Sequence, residues 1–361
     1  MDPRTTFWTR LVIVSAALLL LAAPSWAGKS QLIFELEDPR GDDHGNGRLE
    51  YPIRSDYVKG DLDLVKFQAR KVGGGTQFEA IFARPIRVAG REAIDDLGTS
   101  LSSVARHGFY TFNIDVYIDT DRTTGSGWVR LLPGRKAEME AGHAWDRAVV
   151  LTPRPSETRA ALQRMMLGAL NEQLQNSDYS EEDGTEISSR ILMQRRLPAE
   201  LEQRIHFPQK IRIHGRKICF FVPDRFLGGP ARDDWSYTVV VSGADLVQSF
   251  DISASMGLAE STKDNLMILP ISPGRWQDRF GGGREGEALQ PPLVDIIVPA
   301  GGLTQERVLG RFNTRSDRPV QLSGVVPAEL GDDTSSAVAP AETAEPAADG
   351  PATGLGGVSG R

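Results

Sequence analysis

The chain has 361 residues, a formal net charge of −7 and one cysteine. An acidic chain without a long basic run is a poor partner for nucleic acid or for an anionic membrane surface. A single cysteine excludes an internal disulfide, and the length is sufficient for a large hydrophobic core without covalent crosslinks.

Residues 1–27, MDPRTTFWTRLVIVSAALLLLAAPSWA, have the pattern of an export signal. A basic start precedes an apolar run, and Ser25 and Ala27 supply the small residues that signal peptidase needs. The apolar run is short for a membrane span, so cleavage after Ala27 is favoured over an uncleaved anchor. We therefore expect a periplasmic or secreted protein with no membrane span after cleavage.

Residues 28–326 are predicted to form one domain built from short strands. In YTFNIDVYIDT, for example, Phe112, Ile114, Val116 and Ile118 face one way and the polar residues face the other. Glycine-rich turns separate the segments, which favours an antiparallel β-sandwich of mainly β class. The predicted strands are SQLIFELED, DLDLVKFQARKV, GGGTQFEAIFAR, YTFNIDVYIDT, DRAVVLTP, RKICFFVP, WSYTVVVSG, NLMILP and LVDIIVP.

A helical insertion interrupts the strands at about residues 155–207. PSETRAALQRMMLGALNEQLQ places apolar side chains four residues apart, from Leu162 to Leu174, after Ser156 as a cap. A polar turn, NSDYSEEDGTE, separates it from a second helix-like segment, ISSRILMQRRLPAELEQRIHF. The pattern predicts two helices that lie against the sandwich and not within it.

Residues 327–361 form an acidic segment rich in alanine, proline and glycine, and it contains no aromatic residue. Such a segment cannot bury enough apolar surface to offset its ordering entropy, so it is predicted to be a disordered tail.

Several blocks, in order, resemble one family. They are EDPRGDDHGNGRLEYP, FNIDVYIDTDRTTGSGWVRLLPGRKAEMEAGHAWDRAV, KICFFVPDRFLG, WSYTVVVSGAD, DRFGGGREG and VDIIVPAGGLTQERVLG. Together they are similar to the C-terminal DOMON-like domain of glucodextranase-type enzymes, from about Leu32 to Phe312, apart from the helical insertion. The resemblance implies a β-sandwich related to carbohydrate-binding modules, and a non-catalytic domain of a kind usually attached to a glycoside hydrolase.

The segment Glu37–Pro52 concentrates carboxylates and glycines in one loop. Its oxygens suit calcium, with Asp38, Asp42 and Asp43 as the leading ligands. The spacing is not that of an EF-hand, so a second segment would have to complete the site. The alternative is a solvated turn without an ion, and the resemblance favours calcium.

Asp119 and Asp121, in IDVYIDTDRTTGSG, are further candidate ligands at the end of a predicted strand. They contribute to the same calcium site only if the opening loop folds against them. The alternative is that they anchor the turn through side-chain hydrogen bonds to the backbone, which is the commoner role of aspartate at such positions.

Sugar binding needs exposed aromatic rings with polar partners nearby. Trp276 lies in a turn-rich loop with Asp278, and Trp128 directly follows a glycine turn. These three are the candidate ligand-binding residues, although a tryptophan in a sandwich is more often part of the core.

No residue is assigned a catalytic role. The five histidines lack zinc-type spacing, and neither a nucleophile elbow nor a nucleotide-binding loop is present. The sequence therefore favours an exported, non-catalytic protein that binds a polysaccharide or oligosaccharide and calcium. One alternative is a cell-envelope module whose helical insertion binds a protein partner, and another is a hydrolase with an unrecognised site.

Overall fold

The structure is a computed structural model that describes residues 30–176, 195–249, 266–284, 288–313 and 318–331. The predicted signal peptide, residues 332–361 of the predicted tail and nearly all of the polar turn between the predicted helices lie outside the described residues. Within the described ranges, no helix combines the length and the apolar character needed to cross a membrane.

Twelve strands are present in the described part of the chain. In order they are β1 (Gln31–Glu37), β2 (Leu64–Val72), β3 (Gly75–Phe82), β4 (Phe112–Asp119), β5 (Ala137–Met139), β6 (Arg147–Leu151), β7 (Ile205–His206), β8 (Ile211–His214), β9 (Lys217–Pro223), β10 (Ser236–Gly243), β11 (Asp295–Ile296) and β12 (Val320–Leu322). Short helices lie at Leu101–Val104, Asp224–Leu227, Leu246–Ser249 and Gln305–Leu309, and turns of 3-10 helix at Ala141–His143 and Pro327–Gly331.

The strands form two five-stranded sheets. The first sheet has the order β1-β2-β3-β9-β8 and is antiparallel throughout. The second has the order β11-β10-β4-β6-β7 and is antiparallel except for the β6–β7 pair. β5 and β12 form a separate parallel pair.

The main hydrophobic core lies between the two sheets. Phe34 of the first sheet packs on Tyr237 of the second, with ring centroids 4.4 Å apart, and Phe82 packs on Phe112 at 4.9 Å. The inward residues of β4 belong to this core, as their alternation in the sequence predicts. The prediction of a mainly β, antiparallel sandwich is therefore confirmed.

A second core covers the outer face of the second sheet. All eight residues of β4 are buried, because its outward Tyr117 also packs into a hydrophobic cluster, with Trp145, Leu132 and Leu162. The outer face of this sheet is therefore covered, whereas an ordinary sandwich leaves it to solvent.

The predicted insertion contributes to that second core. A long helix spans Pro155–Asn176 and residues 195–204 are also helical. Leu162 and Leu201 bring the two helical segments into the second core, so they lie against the sandwich as predicted. The end of the insertion differs from the prediction, because Ile205–His206 pairs with β6 as the edge strand of the second sheet.

One predicted strand and one predicted boundary differ from the sequence-based assignment. NLMILP is not a strand in its described part: Met267 has a positive φ of 57°, and only an isolated bridge joins Ile268 to Ala244. The predicted tail begins at Pro327, yet Pro327–Gly331 form a turn of 3-10 helix that packs on the body through Leu330. The described fold therefore extends to Gly331.

Candidate metal centre and the adjoining hairpin

Five aspartates converge where the two sheets meet. Asp38 directly follows β1, Asp42 and Asp43 lie in the loop that follows, Asp63 directly precedes β2, and Asp295 is the first residue of β11. Because β1 and β2 are antiparallel neighbours, the end of one strand meets the start of the other. The backbone N–H of Leu64 donates to Asp295 Oδ2 at 2.6 Å, which joins the first sheet to the second.

Three of these carboxylates form the centre of the cluster. Oxygen atoms of Asp38, Asp42 and Asp295 all lie within 4.8 Å of one another. Asp295 is fully buried, and its Oδ1 has no hydrogen-bond partner. Asp38 Oδ2 and Asp42 Oδ1 are likewise buried without a partner. Buried carboxylate oxygens normally accept hydrogen bonds, so a cluster of carboxylates with unpartnered buried oxygens has the arrangement of a group that could hold a cation.

The other two aspartates hold the loop in place. Asp43 Oδ2 accepts hydrogen bonds from the Tyr51 hydroxyl and from the backbone N–H of Gly60, the latter at 2.6 Å. Asp63 Oδ2 accepts from the N–H of Gly41 at 2.7 Å. Each retains a second buried oxygen, Oδ1, without a partner. Asp43, a predicted ligand, is thus placed beside the three central carboxylates and not among them.

The electrostatics of the cluster oppose full ionisation. Burial, followed by repulsion from Asp42, raises the pKa of Asp38 to about 9. Burial raises the pKa of Asp42 to about 6, with further contributions from Asp63 and Glu306. The pKa of Asp295 is raised well above its ordinary value by burial and by Asp38. Ionisation of several carboxylates in one buried place costs free energy, and it becomes favourable once a cation neutralises their charge.

Two buried glutamines fix the loop onto the second sheet. Gln290 Oε1 accepts from the N–H of Asn46 at 2.7 Å, while its amide donates to Leu293 O at 3.0 Å. Gln305 Oε1 accepts from the N–H of Ile296 at 2.6 Å, and its amide donates to the carbonyl of Asp42. The amides therefore hold the loop's backbone against the segment that carries Asp295.

The donor set fits calcium. All donors are oxygens, which suits a hard cation, and they come from two chain segments that are far apart in the sequence. Calcium accepts about six to eight oxygens in flexible geometry, whereas magnesium requires a stricter octahedron. Gly41, Gly45 and Gly47 all have positive φ, which lets the loop fold tightly around the carboxylates.

Asp119 and Asp121 lie in a different cluster, together with Asp146. Across β10, Ile114 of β4 lies level with Asp295 of β11. Asp119 is five residues farther along β4, which corresponds to about 17 Å. One oxygen of each residue accepts local hydrogen bonds: Asp119 Oδ1 from the N–H of Arg122 at 2.7 Å, and Asp121 Oδ1 from Ser126 Oγ at 2.8 Å. The structure thus separates these two residues from the loop aspartates and shows them anchoring a turn.

Trp276 lies at the tip of a hairpin next to the acidic loop. Its side chain is 60% exposed, and its carbonyl accepts from the N–H of Ile53 at 3.0 Å. At the base of the hairpin, Phe280 is buried edge-on against Tyr51 with ring centroids 5.5 Å apart. Tyr51 also donates to Asp43, so the hairpin rests on the segment that ends the acidic loop.

The other two predicted ligand-binding residues have partners within the protein. Asp278 receives two hydrogen bonds from Arg279, both at 2.7 Å, and this ion pair lowers its pKa. Trp128 is partly buried against Trp145 at 5.1 Å, with the Arg204 guanidinium 5.1 Å from its ring centroid. Trp128 packs against the second core, whereas Trp276 and Asp278 both lie in the exposed hairpin.

Sequence reasoning missed Asp63 and Asp295. Both carry a local signal, because each is a charged residue at the edge of an apolar strand, in DLDLVKF and in LVDIIVP. A carboxylate that is buried in such a position needs a compensating partner. This need is the signal that could have connected Asp63 and Asp295 with the acidic loop.

Comparison with known proteins identifies the family. A search of curated proteins finds no match. The family model described as the C-terminal binding module, SLH-like, of glucodextranase matches residues 33–324. This agrees with the blocks of resemblance in the sequence, and it covers both sheets, the acidic cluster and the Trp276 hairpin. The chain belongs to the glucodextranase C-terminal binding-module family.

Proposed function

We propose that the protein is an exported, non-catalytic binding module for a polysaccharide or oligosaccharide, and that a calcium ion stabilises its binding surface. The unpartnered, buried oxygens of Asp38, Asp42 and Asp295 are the observation that carries the calcium assignment. The family, a binding module, supports the carbohydrate assignment.

Calcium and sugar binding are connected through the loop. A cation bound to Asp38 and Asp42 on one side and to Asp295 on the other ties the acidic loop to both sheets. The same loop continues into Tyr51 and Ile53, which support the Trp276 hairpin. Loss of the ion should therefore loosen the hairpin as well as the loop.

The hairpin has the composition of a sugar-binding surface. The Trp276 ring is exposed beside the 52% exposed Ile53, which gives an apolar surface for the face of a pyranose ring. The Asp278–Arg279 pair, at the tip of the same hairpin, offers acceptors and donors for hydroxyl groups. Because Trp276 does not belong to the core, its role in binding can be separated from a role in stability.

Thermal unfolding with and without calcium tests the metal assignment. A cation at about 100 times its dissociation constant stabilises the fold by roughly 2.7 kcal/mol, so chelation should lower the melting temperature by several degrees and calcium should restore it. Asp295→Asn should abolish this response, and Asp121→Asn, in the separate cluster, should keep it. An unchanged melting temperature on chelation would leave the loop as a turn without an ion.

Affinity electrophoresis in gels containing dextran or amylopectin tests the binding surface. We expect retardation by at least one of these neutral glucans, and Trp276→Ala should reduce it about tenfold while the melting temperature changes by no more than a few degrees. Trp276→Phe should retain most of the binding. A large loss of stability with unchanged retardation would assign Trp276 to packing instead.

A further inference from the structure

The outer faces of the two sheets differ. That of the second sheet is covered by the second core. That of the first sheet carries polar side chains from all five strands. One row across it follows the strand pairing and consists of Glu35, Gln68, Glu79, Cys219 and Arg212.

Glu79 organises this face. It is almost fully buried, and it accepts hydrogen bonds from the amides of Gln68 and Gln77 and from Lys217 Nζ, the last at 3.1 Å. Burial opposes its charge, but these donors outweigh that effect and lower its pKa. Glu79 therefore stays ionised with its charge compensated, and it fixes amide and ammonium groups on the sheet surface.

A groove of about 340 Å³ lies beside this network. The residues that line it include Gln77, Gln209, Lys210, Arg212, Cys219 and Phe221. The Phe221 ring rests on Gly75, where a Cβ atom would come within 2.7 Å of the ring. Lys210 Nζ lies 5.0 Å from the ring centroid. The ring is thus held on the sheet by a glycine that has no side chain to displace it.

We propose that this groove binds an acidic sugar residue of a polysaccharide, as a second site beside the Trp276 hairpin; this rests on the proposed carbohydrate-binding function. An aromatic ring, two amides and two cations match a pyranose that carries a negative group. No carboxylate belongs to the groove's lining, although the chain as a whole has a net charge of −7. The positive lining of the groove therefore favours an anionic occupant.

Three forms of one polymer test the proposal, namely dextran, carboxymethyl-dextran and dextran sulfate, used in affinity electrophoresis at low and high salt. We expect carboxymethyl-dextran to retard the full chain, and retardation should decrease as salt increases. Arg212→Gln and Phe221→Ala should each weaken this about tenfold, an effect equivalent to about 1.4 kcal/mol. Dextran sulfate distinguishes a carboxylate site from a general anion site: stronger binding to it assigns the groove to sulfated sugars, which are still acidic.

Arg130→Gln is the matched control, because Arg130 is an exposed arginine paired with Glu138 away from this sheet. It should leave retardation unchanged, and Trp276→Ala should leave the salt-dependent part of the retardation in carboxymethyl-dextran unchanged. Trp276→Ala acts instead on the salt-independent binding of neutral glucose units, so failure of the hairpin and failure of the groove are distinguishable. Equal losses for Arg130→Gln and Arg212→Gln, or a Phe221→Ala effect that is the same on neutral dextran, would overturn the proposal. Arg212→Gln changes an exposed side chain, so its result stands even if Phe221→Ala unfolds the domain.

Discussion

The residues with the largest conflict between charge and burial are the aspartates of the acidic cluster. Asp295 is fully buried between the sheets, yet only one of its oxygens has a hydrogen-bond donor, the N–H of Leu64. A lone buried carboxylate of this kind destabilises the folded state unless it is protonated or binds a cation. The two possibilities give different responses of stability to pH.

Without a cation, the protein should lose stability as the pH rises. The pKa of Asp38 is about 9 in the folded state against an ordinary 3.8, and that of Asp42 is about 6. Between pH 4 and 9 the folded state therefore binds more protons than the unfolded state. The stability that this proton binding provides is fully present below pH 4 and is lost as the pH rises through 9. In chelator, the melting temperature should be several degrees lower at pH 8 than at pH 5.

Saturating calcium should remove this decline, because the ion replaces the protons. Calorimetric titration at pH 8 in two buffers with different ionisation enthalpies should show protons released on binding. Asp295→Asn should flatten the pH dependence in chelator. A melting temperature in chelator that rises from pH 5 to pH 8 would contradict the assignment.

At the scale of the element, β4 shows how a strand can be buried on both faces. Its outward Asp115 forms a bidentate ion pair with Arg135, at 2.6 and 3.0 Å, and both side chains are nearly inaccessible. Arg135 comes from the loop before β5, which covers this face of the sheet together with Leu132. The pair therefore joins the covering loop to the centre of the second sheet.

Removing one member of this pair should be strongly destabilising. Arg135→Met leaves Asp115 buried without its counter-charge, which costs about 3–5 kcal/mol and should be evident in urea-induced unfolding. The double variant Asp115→Asn/Arg135→Met should recover part of the loss, since it removes both charges. Arg130→Gln, an exposed pair in the same loop, should have little effect. A similar cost for the Arg130 and Arg135 variants would show that the loop is not held by the buried pair.

Periodicity predicted those elements whose faces differ and failed where they do not. The long strands of both sheets alternate between core and outer face, so β1 to β4, β9 and β10 could be found from the sequence. β5, β7, β8 and β12 have two to four residues, which is too short for a period to be recognised. The outward residues of β4 look solvent-exposed in sequence, and only the covering loop makes them buried.

The same limit applies to the candidate site. Asp38 and Asp42 could be found because their loop is acidic and glycine-rich within one short segment. Asp295 is more than 250 residues away in the chain, and only the pairing of β10 with β11 places it opposite the loop. Asp119 looks equally suitable in sequence, but it lies at the other end of β4, where it stabilises a turn.

At the scale of the whole molecule, the described chain forms a sandwich with a third layer on one side. The long helix and the loop before β5 cover the second sheet, while the first sheet keeps a polar outer face. The acidic cluster and the Trp276 hairpin adjoin each other through residues 48–53. The two proposed binding surfaces are the hairpin and the groove on the first sheet.

The chain after β12 closes one side of this body. Val325 exchanges two backbone hydrogen bonds with Tyr237, both at 2.8 Å, and the N–H of Ala328 donates to Asp233 O at 2.9 Å. Leu330 then packs against the main core. These contacts show that the turn Pro327–Gly331 is part of the folded body, so a shortened chain should tolerate a stop after Gly331 better than one after Val326.

A chain that ends at Gly331 should melt within about a degree of the full chain, because the removed segment has a composition that favours disorder. Ending at Val326 also removes the Leu330 contact and the Ala328 hydrogen bond, a loss of about 2 kcal/mol, and should lower the melting temperature by a few degrees. Leu330→Ser in the full chain should reproduce most of that decrease. Glu329→Gln should not, since its pair with Arg122 is exposed. Equal melting temperatures for the two shortened chains would place the end of the folded body at Val326.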